Sequence, residues 1–130
     1  LLPKPIIHTQ AKGAKVGIIY YGTTAAAATE TMDLLARKGI AVDSCCIKAF
    51  PFSTEVEQFI DSHEQLYVIE QNRDGQMRTL LINELEANPK KLFKVVHYDG
   101  LPITAAFISD SINTHQQGAD KRSTLKVASR

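Results

Sequence analysis

Cysteine is almost missing from this chain: among 130 residues there are two, Cys45 and Cys46, side by side. Neighbours in an extended strand point to opposite faces, so the pair offers no framework of structural disulfides. A reducing, cytoplasmic setting is the expectation that follows. Long apolar runs are missing too. Nothing approaches the roughly 20 residues that span a bilayer, and the opening LLPKPIIHTQ lacks a charged stretch followed by an apolar core. No membrane association is expected. Excess charge of one sign is also absent, with 15 Lys plus Arg against 14 Asp plus Glu. A nucleic-acid binder needs a basic face to neutralise phosphates, so nucleic acid is not an expected partner.

The familiar catalytic signatures are absent as well. There is no GxGxxG after the first apolar run and no Walker loop, which withdraws the usual support for dinucleotide or triphosphate binding. The first run ends without the acidic pair of a phosphoryl-accepting receiver, and no serine occupies a GxSxG elbow. His8, His63, His97 and His115 are scattered, without the mutual spacing of a metal site. Cys45 and Cys46 have nothing near them in sequence to lower a thiol pKa. No catalytic residue and no metal ligand is expected in this chain.

What is present is an alternation of short β-rich runs with longer amphipathic stretches, the pattern of parallel βαβ units. Val16 to Tyr21 is nearly all apolar, as a strand covered on both faces must be. A helix from Ala25 aligns Ala28, Met32 and Leu35, carries Arg37 and Lys38 at its end, and stops at Gly39. Ala41 to Lys48 reads as a second strand. Phe50-Pro51-Phe52 then turns into a helix with Thr54 and Glu57 as capping box and Val56, Phe59 and Ile60 as apolar face. Leu66 to Glu70 is a third strand, and Met77, Leu80, Leu81 and Leu85 recur at helical spacing until Asn88-Pro89. Phe93 to Tyr98 and Thr104 to Asn113 supply the last strand and helix.

Residues 1–14 are expected to form a linker or a short edge strand at Ile6-Ile7, and 15–115 the α/β domain. Residues 116–130 form a mobile or partner-docking tail; from Gly118 onward it holds four cations and one anion. A start at Leu1 rather than Met suggests a domain excised from a longer polypeptide.

In open parallel sheets ligands sit beyond the carboxyl ends of the strands. Gly22-Thr23-Thr24 offers a glycine, two hydroxyls and helix amides, an arrangement able to hold a phosphate or carboxylate; a plain tight turn with an N-cap is the other reading. Glu70-Gln71-Asn72-Arg73-Asp74-Gly75-Gln76 is more polar than a connection requires. Arg73 can pair with an anion, Gln71, Asn72 and Gln76 can read hydrogen-bonding edges, and Gly75 permits close backbone approach. A solvated loop with Asp74 capping the next helix explains it equally.

Val16 to Gly22 with Thr23 and Thr24, then Phe50-Pro51-Phe52, and above all Val68 to Gln76 resemble the C-terminal domain of the α subunit of 2-oxoacid:ferredoxin oxidoreductases. There the last stretch reads as a strand, Glu-x-Asn-x-x-Gly-Gln and a leucine-rich helix, and the match covers about Lys15 to His115. The resemblance implies a transketolase C-terminal-like fold: a three-layer α/β/α sandwich with a mostly parallel sheet and one antiparallel edge strand. It implies a parent enzyme that uses thiamine diphosphate with magnesium, an iron–sulfur cluster, coenzyme A as acyl acceptor and ferredoxin as electron acceptor. A β subunit and the other α-subunit domains are the implied partners and hold those cofactors. This chain lacks a Gly-Asp-Gly…Asn thiamine motif, and two adjacent cysteines cannot supply the four thiolates of a cluster. It is thereby assigned a non-catalytic role, with Gly22, Thr23, Thr24, Glu70, Gln71, Asn72, Arg73, Gly75 and Gln76 as its ligand or interface edge. The substrate, whether pyruvate, 2-oxoglutarate or a branched oxoacid, is read elsewhere; 2-oxoglutarate is the expectation. The alternative from a different class is a stand-alone flavodoxin-like module holding a small anion or flavin phosphate at Gly22 to Thr24.

Overall fold

The computed structural model describes residues 3–10, 12–22, 25–70, 76–97, 103–118 and 124–127. In chain order they form β1 (Ile6–His8), β2 (Val16–Tyr21), α1 (Ala25–Arg37), β3 (Val42–Ile47), α2 (Thr54–Asp61), β4 (Gln65–Glu70), α3 (Gln76–Leu85), β5 (Leu92–His97), α4 (Ala105–Gln117) and β6 (Thr124–Val127). The six strands make one sheet in the order β1-β3-β2-β4-β5-β6. Every neighbouring pair is parallel except β1 with β3, which is antiparallel at the edge.

Parallel strands need crossovers, and each crossover buries one face of the sheet. α1 and α4 lie over one face, where Ala28, Met32, Leu35, Ile108 and Ile112 meet Ile18, Tyr20, Tyr67 and Val95. α2 and α3 lie over the other, where Val56, Phe59, Ile60 and Leu81 meet Ile19, Leu66, Val68 and Leu92. The chain is therefore a three-layer α/β/α sandwich. The continuous apolar runs of β2 and β4 are the consequence: residues of both parities are buried.

Local chemistry fixes the ends. α1 stops where Gly39 takes φ +83°, with Gly39 N–H donating to Ala36 O at 3.0 Å and Ile40 N–H to Leu35 O at 2.9 Å. Those two bonds are a Schellman closure. Gly17 is required by a close approach, since a Cβ there would lie 2.9 Å from the Phe59 ring.

Several expectations need correction. The capping box at Thr54 and Glu57 does not form: α2 begins at Thr54, so Ser53 takes the N-cap, and its side chain makes no capping bond. Leu80 is exposed, because Met77, Leu81 and Leu85 define the buried stripe of α3 with Ile82 beside them. α4 runs on to Gln117, past the boundary expected at 115. Within the expected tail, Thr124–Val127 pairs in parallel with β5 from Lys94↔Thr124 to His97↔Val127. The open edge of β5 supplies a backbone template that the cationic composition of the tail conceals.

Candidate functional site at the carboxyl edge of the sheet

Leaving aside the antiparallel β1, the strands run β3-β2-β4-β5-β6, so successive connections diverge from β2 toward opposite edges. The switch point of the topology is therefore between the carboxyl ends of β2 and β4, the place where ligands bind in open α/β sheets. The two strands are paired in register, Ile18 with Tyr67 and Ile19 with Val68. The two loops singled out in the sequence thus leave adjacent strands at the switch point of the fold.

At the end of β2, Tyr21 is exposed and Gly22 adopts φ +28°, which favours glycine. Thr23 and Thr24 lie outside the described residues, and α1 starts at Ala25. At the end of β4, Glu70 is buried, with 4% of its surface exposed. Its Oε1 accepts from Met77 N–H at 3.2 Å and its Oε2 from Arg78 N–H at 2.8 Å. Burial pushes the Glu70 carboxyl above the usual carboxylate range, against the pull of these two amides and of the Lys94 and Arg78 charges. Gln76 is the first residue of α3 and is exposed. Gln71, Asn72, Arg73, Asp74 and Gly75 lie outside the described residues.

Beside this edge, Phe50 is exposed and meets Phe52 edge-on at 5.3 Å between centroids, around a cis Phe50–Pro51 bond. A cavity of about 260 Å³ opens there against Lys4, Lys48, Phe52 and Glu55. Lys4 Nζ and Glu55 Oε2 form an exposed ion pair at 3.7 Å across it.

Sequence reasoning missed a polar constellation near the other end of the sheet. His63 Nε2 lies 2.7 Å from Asp43 Oδ2, and its Nδ1 lies 2.7 Å from Phe59 O and 3.2 Å from Ser62 Oγ. The Phe59 carbonyl can only accept, so the Nδ1 proton points to it, and Nε2 faces the Asp43 carboxyl. Asp43 Oδ1 accepts from Gln10 N–H at 2.9 Å, and the Gln10 side chain bonds Val42 N–H at 2.9 Å and Met32 O at 3.1 Å. Ser, His and Asp together suggest a catalytic triad, but the chemistry disagrees. Phe59 O takes the Nδ1 proton, which leaves no lone pair there for the Ser62 hydroxyl proton. The constellation ties α1, α2, β3 and the β1–β2 connection together. No local motif announces it, because Asp43 and His63 are 20 residues apart.

The thiols are equally closed. Cys45 faces α2 and α3 while Cys46 faces α1 and α4, both buried. Burial and the neighbouring Cys46 push the Cys45 thiol up to about 12. On opposite faces, the two cannot ligate one cluster. Glu70, with both oxygens on backbone amides, is likewise no ligand for magnesium. Among the described residues, the two cysteines and Glu70 thus offer no site for the implied cluster or magnesium. No helix among the described residues is long and apolar enough to cross a membrane.

No family model and no curated protein matches the sequence. Solved structures do share the fold. A 2-oxoglutarate:ferredoxin oxidoreductase from Magnetococcus marinus, with 2-oxoglutarate, coenzyme A and succinyl-CoA bound, aligns with TM-score 0.77 and 24% identity over 88% of this chain and 20% of its own. The alpha chain of a probable 2-oxoacid ferredoxin oxidoreductase from Thermoplasma acidophilum aligns with TM-score 0.52 and 22% identity, over 85% of this chain and 94% of that one. The chain thus spans about one-fifth of the length of the Magnetococcus protein.

Proposed function

We propose that this chain is a non-catalytic domain of the α subunit of a thiamine-diphosphate-dependent 2-oxoacid:ferredoxin oxidoreductase. The enzyme converts a 2-oxoacid, 2-oxoglutarate by preference, and coenzyme A to acyl-CoA and CO2 while reducing ferredoxin. One observation carries the reading: the fold recurs over 88% of the chain inside a longer polypeptide of that kind. The Glu70 to Gln76 motif supports it independently. In this reading a β subunit and further α-subunit domains hold the thiamine diphosphate, magnesium and iron–sulfur cluster. Gly22, Thr23 and Thr24 with Gln71, Asn72, Arg73, Gly75 and Gln76 form the edge presented to ligand or subunit, and Glu70, expected there from the sequence, is buried behind it.

Affinity purification through this chain from its source cells tests the proposal. Co-purification of a subunit with thiamine and cluster motifs, together with coenzyme-A-dependent oxidation of a 2-oxoacid, is the expected result. A yellow, flavin-containing single polypeptide would favour the flavodoxin-like module instead, whose five parallel strands have the same order.

A further inference from the structure

We infer that Glu70 is a positioning residue: its buried carboxylate fixes the end of β4 to the first turn of α3 and so sets the geometry of the edge that carries Gln76. The structural half stands on bond geometry; the functional half rests on the reading above.

The first amides of a helix have no partner within it and are normally met by the residue just before the helix. Here they are met from the preceding strand. Oε1 takes Met77 N–H and Oε2 takes Arg78 N–H, the second and third residues of α3. A single side chain therefore holds both ends of the connection between β4 and α3. An ionised carboxylate at that point also opposes the positive end of the helix dipole. With 4% of its surface exposed and both oxygens engaged, Glu70 is unsuited to touching a ligand itself.

The anchor extends further. Arg78, whose amide Glu70 holds, sends its guanidinium to Leu92 O at 2.8 Å and Pro89 O at 3.0 Å. Lys94 of β5 and Arg78 of α3 are the charges that face the carboxylate. β4, α3 and the entry to β5 are thus coupled through two neighbouring side chains, and a shift at Glu70 moves the start of α3 relative to the sheet. Only that displacement, acting through Gln76 and its neighbours, reaches the functional edge.

The test uses Glu70→Ala, Glu70→Asp and Glu70→Gln in the complete enzyme recovered with this chain. It reads hydrogen exchange at the Met77 and Arg78 amides, and kcat and KM for the 2-oxoacid separately. Alanine removes both acceptors, and aspartate keeps the charge but falls short. Both are expected to speed exchange at these two amides about tenfold or more and to lower kcat/KM per folded enzyme. Glutamine keeps one acceptor oxygen but turns its NH2 toward the other amide, so it is expected to protect one of the two amides and to fall between alanine and wild type in both readouts, and the aspartate variant carries the test should alanine fail to fold. Unchanged exchange in the shortened variants overturns the clamp. Faster exchange with unaltered kinetics overturns the positioning role alone. A wild-type complex that oxidises no 2-oxoacid overturns the functional reading, leaving the exchange data to decide the clamp.

Discussion

Removing either partner of the Asp43–His63 pair is expected to destabilise the chain by about 1–3 kcal/mol, because the survivor stays largely buried without its hydrogen-bond partner. The side chains are only 9% and 5% exposed, yet both border an open cavity also lined by Thr9, Gln58 and Ser62, which moderates the loss. In His63→Ala, Asp43 keeps only the Gln10 amide on Oδ1. In Asp43→Ala, the imidazole keeps only Phe59 O and Ser62, and Gln10 N–H loses its acceptor. The double alanine variant leaves neither partner behind and should fall short of the summed single losses by roughly 0.5–2 kcal/mol. Urea melts followed by far-ultraviolet circular dichroism give these energies. At this chain length each kcal/mol moves Tm by about 3–5 °C, so the single variants should melt roughly 3–15 °C lower. Single losses below about 0.5 kcal/mol, or additivity within about 0.3 kcal/mol, would refute the description of a buried, hydrogen-bonded pair.

Gly17→Ala forces a Cβ to 2.9 Å from the Phe59 ring and should lower stability by about 1–3 kcal/mol in a denaturant melt. Because the folded state raises the Glu70 pKa, it holds that proton to higher pH than the unfolded chain does. Glu70 therefore contributes least stability above its raised value, and Glu70→Gln should gain on wild type as pH climbs from the ordinary carboxylate range through that value. Melts at a series of pH values check this, and a pH-independent difference contradicts it. Cys45 should resist a thiol reagent in native protein at pH 8 and react only on unfolding, since its thiol is pushed up to about 12. In the complete enzyme, Arg73→Ala is expected to impair turnover or subunit association while changing chain stability by about 0.5 kcal/mol or less.

The legible part of the fold was whatever is written in local periodicity. The strand Val16–Tyr21 and the helix start at Ala25 coincide with the reading, and the stop at Gly39 follows from a backbone angle that only glycine adopts freely. Cap chemistry was less legible. Ser53 and Thr54 are both cap formers, and one residue of offset decides which of them ends outside the helix. Contacts distant in sequence were not legible at all. The Asp43–His63 pair needs β3 and the end of α2 in place, and the pairing of Thr124–Val127 needs the free edge of β5. Glu70 lies between these cases: its presence in a motif was visible, while the use of both oxygens on α3 amides depends on a turn that brings residue 70 back to residues 77 and 78.

Because β1 and β6 are the two outer strands, the first and last elements of the chain lie on opposite sides of the sheet. Five gaps of about 4.8 Å put them roughly 24 Å apart. A peptide joining them would need about seven extended residues merely to cross, and more to pass around a helix layer. Circular permutation with a short linker should therefore drive edge-strand exchange between copies, whereas a linker of ample length should preserve a monomer.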